Sequence, residues 1–351
     1  MKIKQYLKKN LFSIISFLLA IVIMLSFVIS TKGFSQLVNI TQHKNLFWLF
    51  MAFGSMALYW FLEGMVIFVY TKKLYPENSM TASFNVGMIG LLYSALTPFS
   101  TGGQPMQMYV MKKQGLDSGK SVSILAMKSI VYQVSLAVYS VIAMIVCFHF
   151  FNENIPGFSF LSMAGLSVNL LIIILMLIVT LNQRWTKKIV NWVVCFLHFI
   201  HVVKDKETTE KRMEKQTACF HESAMIFKGD FAVQCKACLF SLLEFTFLFL
   251  VPYCIFRYFG FDGVVVIQMI AAQAFINMIS SFIPIPGAAG VAEGSFYVFF
   301  SLFFPANAIV PAILLWRLIT YCGTIVLGTL MVFLENQRIR RQKKRNVVEG
   351  K

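Results

Sequence analysis

Residues 122–151 read VSILAMKSIVYQVSLAVYSVIAMIVCFHFF, an apolar run of 30 residues that contains one lysine, Lys128. A helix needs about 20 predominantly apolar residues to cross the hydrocarbon core of a bilayer. This run is therefore long enough to span a membrane, and it predicts a transmembrane helix.

The rest of the sequence has the same character. Apolar residues make up 58% of the 351 residues and charged residues only 13%, too apolar a mixture for one soluble core. Five further apolar runs of spanning length lie at residues 12–30, 46–70, 160–181, 232–256 and 308–334. The sequence predicts an all-α polytopic membrane protein with about six transmembrane helices. The first run follows basic residues, but its length and the lack of a small-residue cleavage site after it indicate a retained span.

The basic residues lie mostly on one side of these spans. Of the 31 lysine and arginine residues, 26 lie in the termini and in the connections on the same side of the membrane as the termini. Three lie in connections on the other side, and 2 lie inside apolar runs. The positive-inside rule then predicts that both termini are cytoplasmic. The net charge is +16, and this placement indicates that the basic residues contact a membrane surface and not nucleic acid.

That orientation requires two further segments, at residues 79–111 and 264–304, to enter and leave on the same side. Each has a centre rich in proline and glycine, TPFSTGGQP at residues 97–105 and IPIPGAAGVAEG at residues 283–294. Irregular backbone at membrane depth must be packed in protein or line a wet cavity. We expect two re-entrant hairpins of opposite orientation, the first entering from the cytoplasm.

The predicted transmembrane domain covers residues 1–334. Within it, a basic cytoplasmic loop is expected at residues 182–232, and its first part, residues 185–203, has the pattern of an amphipathic helix in the membrane interface. Residues 335–351 form a basic cytoplasmic tail.

Polar residues recur in the same order in the two halves. Glu63 and Glu244 each precede a broken segment, and Lys128 and Arg317 each follow one with a tyrosine four residues later, Tyr132 and Tyr321. Because the spans that carry them run in opposite directions, this order predicts an inverted repeat.

Ionisable side chains at membrane depth must be paired or wet. One interpretation is structural, with ion pairs Glu63–Lys128 and Glu244–Arg317 holding each half together. The other is that these groups also face a central cavity that receives an anionic headgroup, helped by half-helix N-termini at the two breaks. The predicted headgroup-binding residues are Gly102, Gly103, Gln104, Gln107, Lys128, Gly287, Gly290, Glu293 and Arg317. Glu63, Glu244, Tyr132 and Tyr321 are predicted as intramembrane charge partners.

No nucleotide loop, nucleophile elbow or metal-ligand spacing occurs in the sequence. We expect no cofactor, no metal and no catalytic residue, and an enzymatic activity of this chain alone is not favoured.

Four stretches carry a resemblance to a known family. They are LTPFSTGGQPMQ at residues 96–107, MKSIVYQ at residues 127–133, PIPGAAGVAEGSF at residues 284–296 and LLWRLITY at residues 314–321. Together they resemble the lysylphosphatidylglycerol synthase transmembrane, or flippase-like, family, the membrane half of the bacterial multiple peptide resistance factor. The resemblance covers nearly all of residues 12–334.

The resemblance implies a multi-pass protein of the bacterial cell membrane that moves or presents phosphatidylglycerol or its lysyl ester between leaflets, a role linked to resistance against cationic antimicrobial peptides. Full-length members add a C-terminal lysyltransferase domain, which we expect this chain to lack because only 17 residues follow residue 334. The alternative is a membrane partner of a separately encoded transferase, for which the family label would be phosphatidylglycerol lysyltransferase.

Overall fold

The computed structural model describes residues 45–199, 206–280 and 285–349, so the span predicted at residues 12–30 lies outside the described residues. Within those ranges the chain is helical and contains no β-strand. The helices are α1 (Leu46–Leu74), α2 (Met80–Leu96), α3 (Gly103–Lys113), α4 (Ser118–Asn154), α5 (Phe158–Leu181), α6 (Gln183–Phe199), α7 (Lys206–Gly229), α8 (Phe231–Tyr258), α9 (Val266–Ser280), α10 (Val291–Phe300), α11 (Ile309–Arg317) and α12 (Gly323–Glu349).

Five stretches of the described chain are long and apolar enough to cross a membrane. They are Leu46–Leu74, Ser118–Asn154, Phe158–Leu181, Phe231–Tyr258 and Ile309–Arg338. These helices confirm the all-α polytopic fold, and each coincides with one of the apolar runs read from the sequence to within a few residues at either end.

The antiparallel helices α1 and α8 form the centre of the bundle and define its two ends. At one end the backbone N–H of Asn45 donates to the carbonyl of Tyr258 at 3.2 Å. At the other end Lys73 Nζ lies 2.6 Å from Asp230 Oδ2, and this hydrogen bond lowers the pKa of Asp230. We call the end with Lys73 and Asp230 the basic end and the end with Asn45 and Tyr258 the opposite end.

Hairpin 1 consists of α2 and α3, and both of its ends lie at the basic end. Gln114, just after α3, donates through Nε2 to the carbonyl of Ala82 in the first turn of α2 at 3.4 Å. The N–H of Asp117, which caps α4, donates to the hydroxyl of Tyr75 at the end of α1 at 2.8 Å. The chain therefore returns to the end from which it started.

Hairpin 2 consists of α9 and α10, and both of its ends lie at the opposite end. The ring of Phe304, after α10, lies 5.3 Å from that of Phe256 near the end of α8 and 6.2 Å from that of Phe261 before α9. The two hairpins thus start from opposite ends of the bundle, and their tips contact each other. Their re-entry into a lipid bilayer stays a prediction.

The amphipathic segment predicted at residues 185–203 begins as a helix, α6. It buries Thr186 and Val194 and exposes Trp185, Ile189 and Trp192. An exposed stripe with two tryptophans is typical of a helix at a membrane surface, where amphipathic rings favour the headgroup region.

Candidate functional site

The two breaks between the hairpin helices have the same backbone shape. The first, Pro98–Ser100, is a short 3₁₀ segment whose last two residues have φ of 52° and 55°. The second, Pro286–Ala288, is also a 3₁₀ segment, and its last two residues have φ of 61° and 50°. Two consecutive left-handed residues after a proline are uncommon. Their presence at both tips supports the predicted repeat and aligns Pro98 with Pro286.

A cavity of about 240 Å³ lies where the two breaks meet. Residues from α1, α2, α4, α8, α9, α10, α11, α12 and both breaks line it. Polar side chains on its wall include those of Tyr59, Ser100, Tyr132, Gln273, Arg317 and Tyr321. A wall that mixes apolar helix faces with a few convergent polar groups is typical of a ligand site.

Arg317 supplies the charge on this wall. Its side chain is only 8% exposed, and its Nε lies 2.7 Å from Glu293 Oε1. The N–H is not aligned for a hydrogen bond along that line, so Nε and Nη2 have no hydrogen-bond partner among the described residues. The guanidinium also lies 4.9 Å from the ring of Trp316 and 5.4 Å from that of Tyr321. Arg317 is thus held in place while part of its donor capacity is unused.

In the second half of the chain, the acidic partner of Arg317 is Glu293 and not the predicted Glu244. Its Oε1 pairs with Arg317, and its Oε2 accepts from the N–H of Gly290 at 2.6 Å at the start of α10. Glu293 lies only three residues after Gly290, so the turn of the second break brings it to the helix end. The predicted Glu244–Arg317 pair is therefore replaced by Glu293–Arg317.

Gly287 and Tyr321 join the two hairpins beside the cavity. A Cβ atom on Gly287 would overlap the ring of Tyr321, and the φ of Gly287 is +61°. The hydroxyl of Tyr321 donates to the carbonyl of Ala95, near the end of α2, at 3.2 Å. Tyr321 therefore packs on the second break and hydrogen-bonds next to the first.

The predicted pair Glu63–Lys128 is present, with Nζ 2.5 Å from Oε1. The Nε2 of Gln107 lies 3.5 Å from the same oxygen. Glu63 is 1% exposed, whereas the side chain of Lys128 is 15% exposed. Next to Lys128 in the sequence, Ser129 accepts a hydrogen bond from Gln104 Nε2 at 2.8 Å.

The predicted headgroup residues do not all meet in one place. Arg317 and Gly287 line the cavity, whereas the other seven are not among its described lining residues: Gly102, Gly103, Gln104, Gln107, Lys128, Gly290 and Glu293. The N–H of Gly102 donates to Thr97 Oγ1 at 2.8 Å, and that of Gly290 donates to Glu293. These two glycine amides therefore bond to the protein's own side chains.

The cavity residues that were not predicted as part of the site include Tyr59, Gln273 and Trp316. Tyr59 precedes Glu63 by four residues, so the helical period places both on one face of α1. This spacing could have predicted Tyr59 as a residue of the site. Trp316 and Gln273 line the cavity, and Trp316 Nε1 and Gln273 Oε1 are buried without a hydrogen-bond partner among the described residues. No sequence pattern distinguishes such groups from ordinary contacts between membrane helices.

Long apolar helices, two broken hairpins that meet at their tips and a buried polar cavity together define a multi-pass α-helical membrane protein. The sequence profile of the family described as "Lysylphosphatidylglycerol synthase TM region" matches residues 13–328, and the chain belongs to this family. The family supports a membrane role related to lipid. The chain is also similar to a "UPF0104 membrane protein" of Archaeoglobus fulgidus, with 23% identity over 307 residues, 84% of this chain and 88% of that protein.

Proposed function

We propose that this protein is a lipid translocator that passes an anionic phospholipid, such as phosphatidylglycerol or its lysyl ester, between the two leaflets, with the headgroup in the cavity between the hairpin tips. The observation that carries the proposal is Arg317, a buried arginine on the cavity wall with donors that no described residue accepts from.

A phosphodiester suits these donors. The planar guanidinium has five N–H groups arranged to hold phosphate or carboxylate oxygens, and Glu293 takes only part of that capacity. The indole N–H of Trp316 adds a donor, and Gln273 Oε1 an acceptor for a hydroxyl group, and neither has a hydrogen-bond partner in the part of the chain that the structure describes. A phosphate with a polar substituent would satisfy all three residues.

The size of the cavity favours a headgroup over a whole lipid. Its 240 Å³ is smaller than the roughly 300–1,000 Å³ of sites that enclose a drug-sized ligand. The acyl chains would therefore remain in the bilayer while the headgroup passes through the protein. Broken helices at membrane depth are tolerated where they line such a polar space, which accounts for the two breaks at the tips.

We place the basic end in the cytoplasm of a bacterial cell, with both termini on that side. In this setting the transported lipid would reach the outer leaflet. A lysyl ester would lower the negative charge of the surface there and weaken its attraction for cationic antimicrobial peptides.

The test is transbilayer movement of a fluorescent phosphatidylglycerol in proteoliposomes that contain the full chain, followed by a quencher added outside. Loss of the charge-assisted hydrogen bonds in Arg317→Gln should slow movement by at least about tenfold, since such bonds contribute about 1.5–3 kcal/mol. Arg317→Lys should be intermediate because an ammonium lacks the guanidinium fork.

Arg257→Gln is the matched control. Arg257 also lies over a tryptophan, Trp48, and pairs with an acid, Asp262, but it lies at the opposite end and does not line the cavity. This variant should move lipid at the wild-type rate. If Arg317→Gln moved lipid at the wild-type rate, the proposed binding of the headgroup in the cavity would be wrong. If the wild-type protein moved no phospholipid, the result would favour the alternative, in which the chain is a subunit that presents lipid to a separate transferase.

A further inference from the structure

Two acidic side chains lie buried next to the cavity and take no part in the headgroup site. Glu63 of α1 is 1% exposed and Glu244 of α8 is 2% exposed. The two carboxyl groups are close enough to affect each other electrostatically. Two carboxylates that share a buried site repel each other, and burial adds to the cost of ionising both, so one of them takes up a proton. The pair therefore holds one proton between its two carboxyl groups.

The contacts decide which residue carries it. Glu63 receives Lys128 Nζ at 2.5 Å and Gln107 Nε2 at 3.5 Å, which suits an ionised carboxylate. Glu244 has no basic residue in salt-bridge contact within the described chain, and its Oε1 is buried without a hydrogen-bond partner there. A buried charge on Glu244 would have no cation in direct contact, because Lys128 pairs with Glu63, so the proton belongs on Glu244.

We infer that Glu244 is a proton-binding site and that the protein moves its lipid together with a proton. This inference rests on the proposed function, because it adds a driving force to the same transport cycle. The chemistry is a simple proton exchange: the carboxylate of Glu244 takes a proton from a hydronium ion on one side of the membrane, and the carboxylic acid returns it to water on the other.

The groups around the pair connect it to the cavity. From α1 comes Tyr59 and from α4 comes Tyr132, and each of these tyrosines interacts electrostatically with both carboxyl groups. Both also line the cavity. A hydroxyl both donates and accepts hydrogen bonds, so these two tyrosines are the groups that can relay a proton between the cavity and the pair.

The remaining charged and polar neighbours set the charge balance. Lys128 of α4 and Gln107 of α3 both contact Glu63, and Lys128 also acts electrostatically on Glu244. From α9, Gln273 lines the cavity, and from α11, Arg317 supplies its cation, paired with Glu293. With Glu63 paired to Lys128, a protonated Glu244 leaves the cluster neutral.

This arrangement couples the two ligands. A phosphate in the cavity adds a negative charge in a poorly screened interior, which favours the protonated form of the adjacent carboxyl group. By thermodynamic linkage, a bound proton then favours the phosphate by the same factor. Lipid and proton would therefore occupy the protein together and move in the same direction.

Infrared spectroscopy of the purified full chain tests the proton itself. Wild-type protein at neutral pH should show the carbonyl stretching band of a protonated carboxylic acid, and the band should disappear in Glu244→Gln. Glu335→Gln is the matched control and should keep it, because the buried carboxylate of Glu335 accepts from two amide groups, those of Asn85 and Gln114. Absence of the band in the wild type, or its persistence in Glu244→Gln, would overturn the inference whether or not the protein moves lipid.

Proteoliposomes with an imposed pH difference test the coupling. Wild-type protein should move fluorescent phosphatidylglycerol severalfold faster from the acidic side than without a gradient, and the ratio of the two rates should fall to one in Glu244→Gln. Equal wild-type rates with and without the gradient would refute coupling and leave the translocator proposal intact. If no lipid moves in either condition, the proposed function fails, and the infrared band alone decides whether Glu244 holds a proton.

Discussion

Gly287 shows how one residue controls the contact between the two hairpins. Its φ of +61° lies in the left-handed region, where a side chain costs about 1–2 kcal/mol. The ring of Tyr321 occupies the space where its Cβ would lie. Tyr321 in turn hydrogen-bonds to Ala95 of the other hairpin, so a side chain at position 287 should disturb the packing of both tips.

Gly287→Ala should therefore lower the free energy of unfolding by more than the backbone cost alone. Gly115→Ala separates the two contributions, because Gly115 also has a positive φ, +94°, but has nothing within 4 Å of an added Cβ. Thermal unfolding of the detergent-solubilised variants would measure both. Equal losses in the two variants would show that the Tyr321 contact contributes nothing.

At this scale the sequence identifies the charged residues better than their partners. Lys128 and Arg317 stand out in apolar runs, and Glu63 pairs with Lys128 as expected. Arg317 pairs with Glu293 and not with Glu244, because the left-handed turn of the second break brings Glu293 toward it. Two of the four positive φ values at the breaks belong to phenylalanine and serine, residue types that do not mark such a turn in a sequence.

At the level of elements, proline and glycine correctly indicate where the hairpins break. They do not give the register of the repeat. The backbone aligns Pro98 with Pro286, and therefore Gly102 with Gly290. Lys128 and Arg317 lie almost the same number of residues downstream of these prolines, so the spacing is nearly equal in the two halves.

Another connection between elements could not be predicted from the sequence. Glu335 of α12 is 2% exposed, and its two oxygens accept from Asn85 Nδ2 at 2.7 Å and Gln114 Nε2 at 2.8 Å. It lies at the edge of an apolar run beside a basic tail, where an acid usually indicates a solvated surface. Instead, its two hydrogen bonds connect α12 to both ends of hairpin 1.

Asn85→Leu should destabilise this connection. It leaves a buried carboxylate oxygen without its donor, and hydrogen bonds to charged groups contribute about 1.5–3 kcal/mol. Replacing both partners, in Asn85→Leu with Glu335→Leu, should cost less than the sum of the single changes because no unpaired charge remains. Reversible unfolding in mixed micelles would give the four free energies, and strict additivity would contradict the proposed bond.

At the scale of the whole molecule, length and hydropathy account for the helices, and the distribution of basic residues accounts for the ends of the bundle. Lys73 lies at the same end as both ends of hairpin 1. Arg257 lies at the opposite end, beside the residue that ends α8. The sequence could not show the cavity, because its wall combines residues from eight helices and two breaks that only tertiary packing brings together.

The orientation of this bundle in a membrane can be tested with single cysteines. The background replaces the four cysteines that are not buried with serine; they are Cys195, Cys219, Cys235 and Cys238. Glu153→Cys then probes the opposite end and Lys228→Cys the basic end, and both positions are exposed. In intact cells, a membrane-impermeant maleimide should label Glu153→Cys, and it should label Lys228→Cys only after permeabilisation, because the lysine- and arginine-rich side stays in the cytoplasm.

Labelling of both variants after denaturation with detergent is the control for their expression. The reverse pattern would place the basic end outside and would contradict the positive-inside assignment. It would also invert the transport cycle, because hairpin 1 would then start from the outer face and hairpin 2 from the cytoplasmic face. The leaflet from which Arg317 receives a headgroup, and the side from which Glu244 takes its proton, both depend on this one orientation.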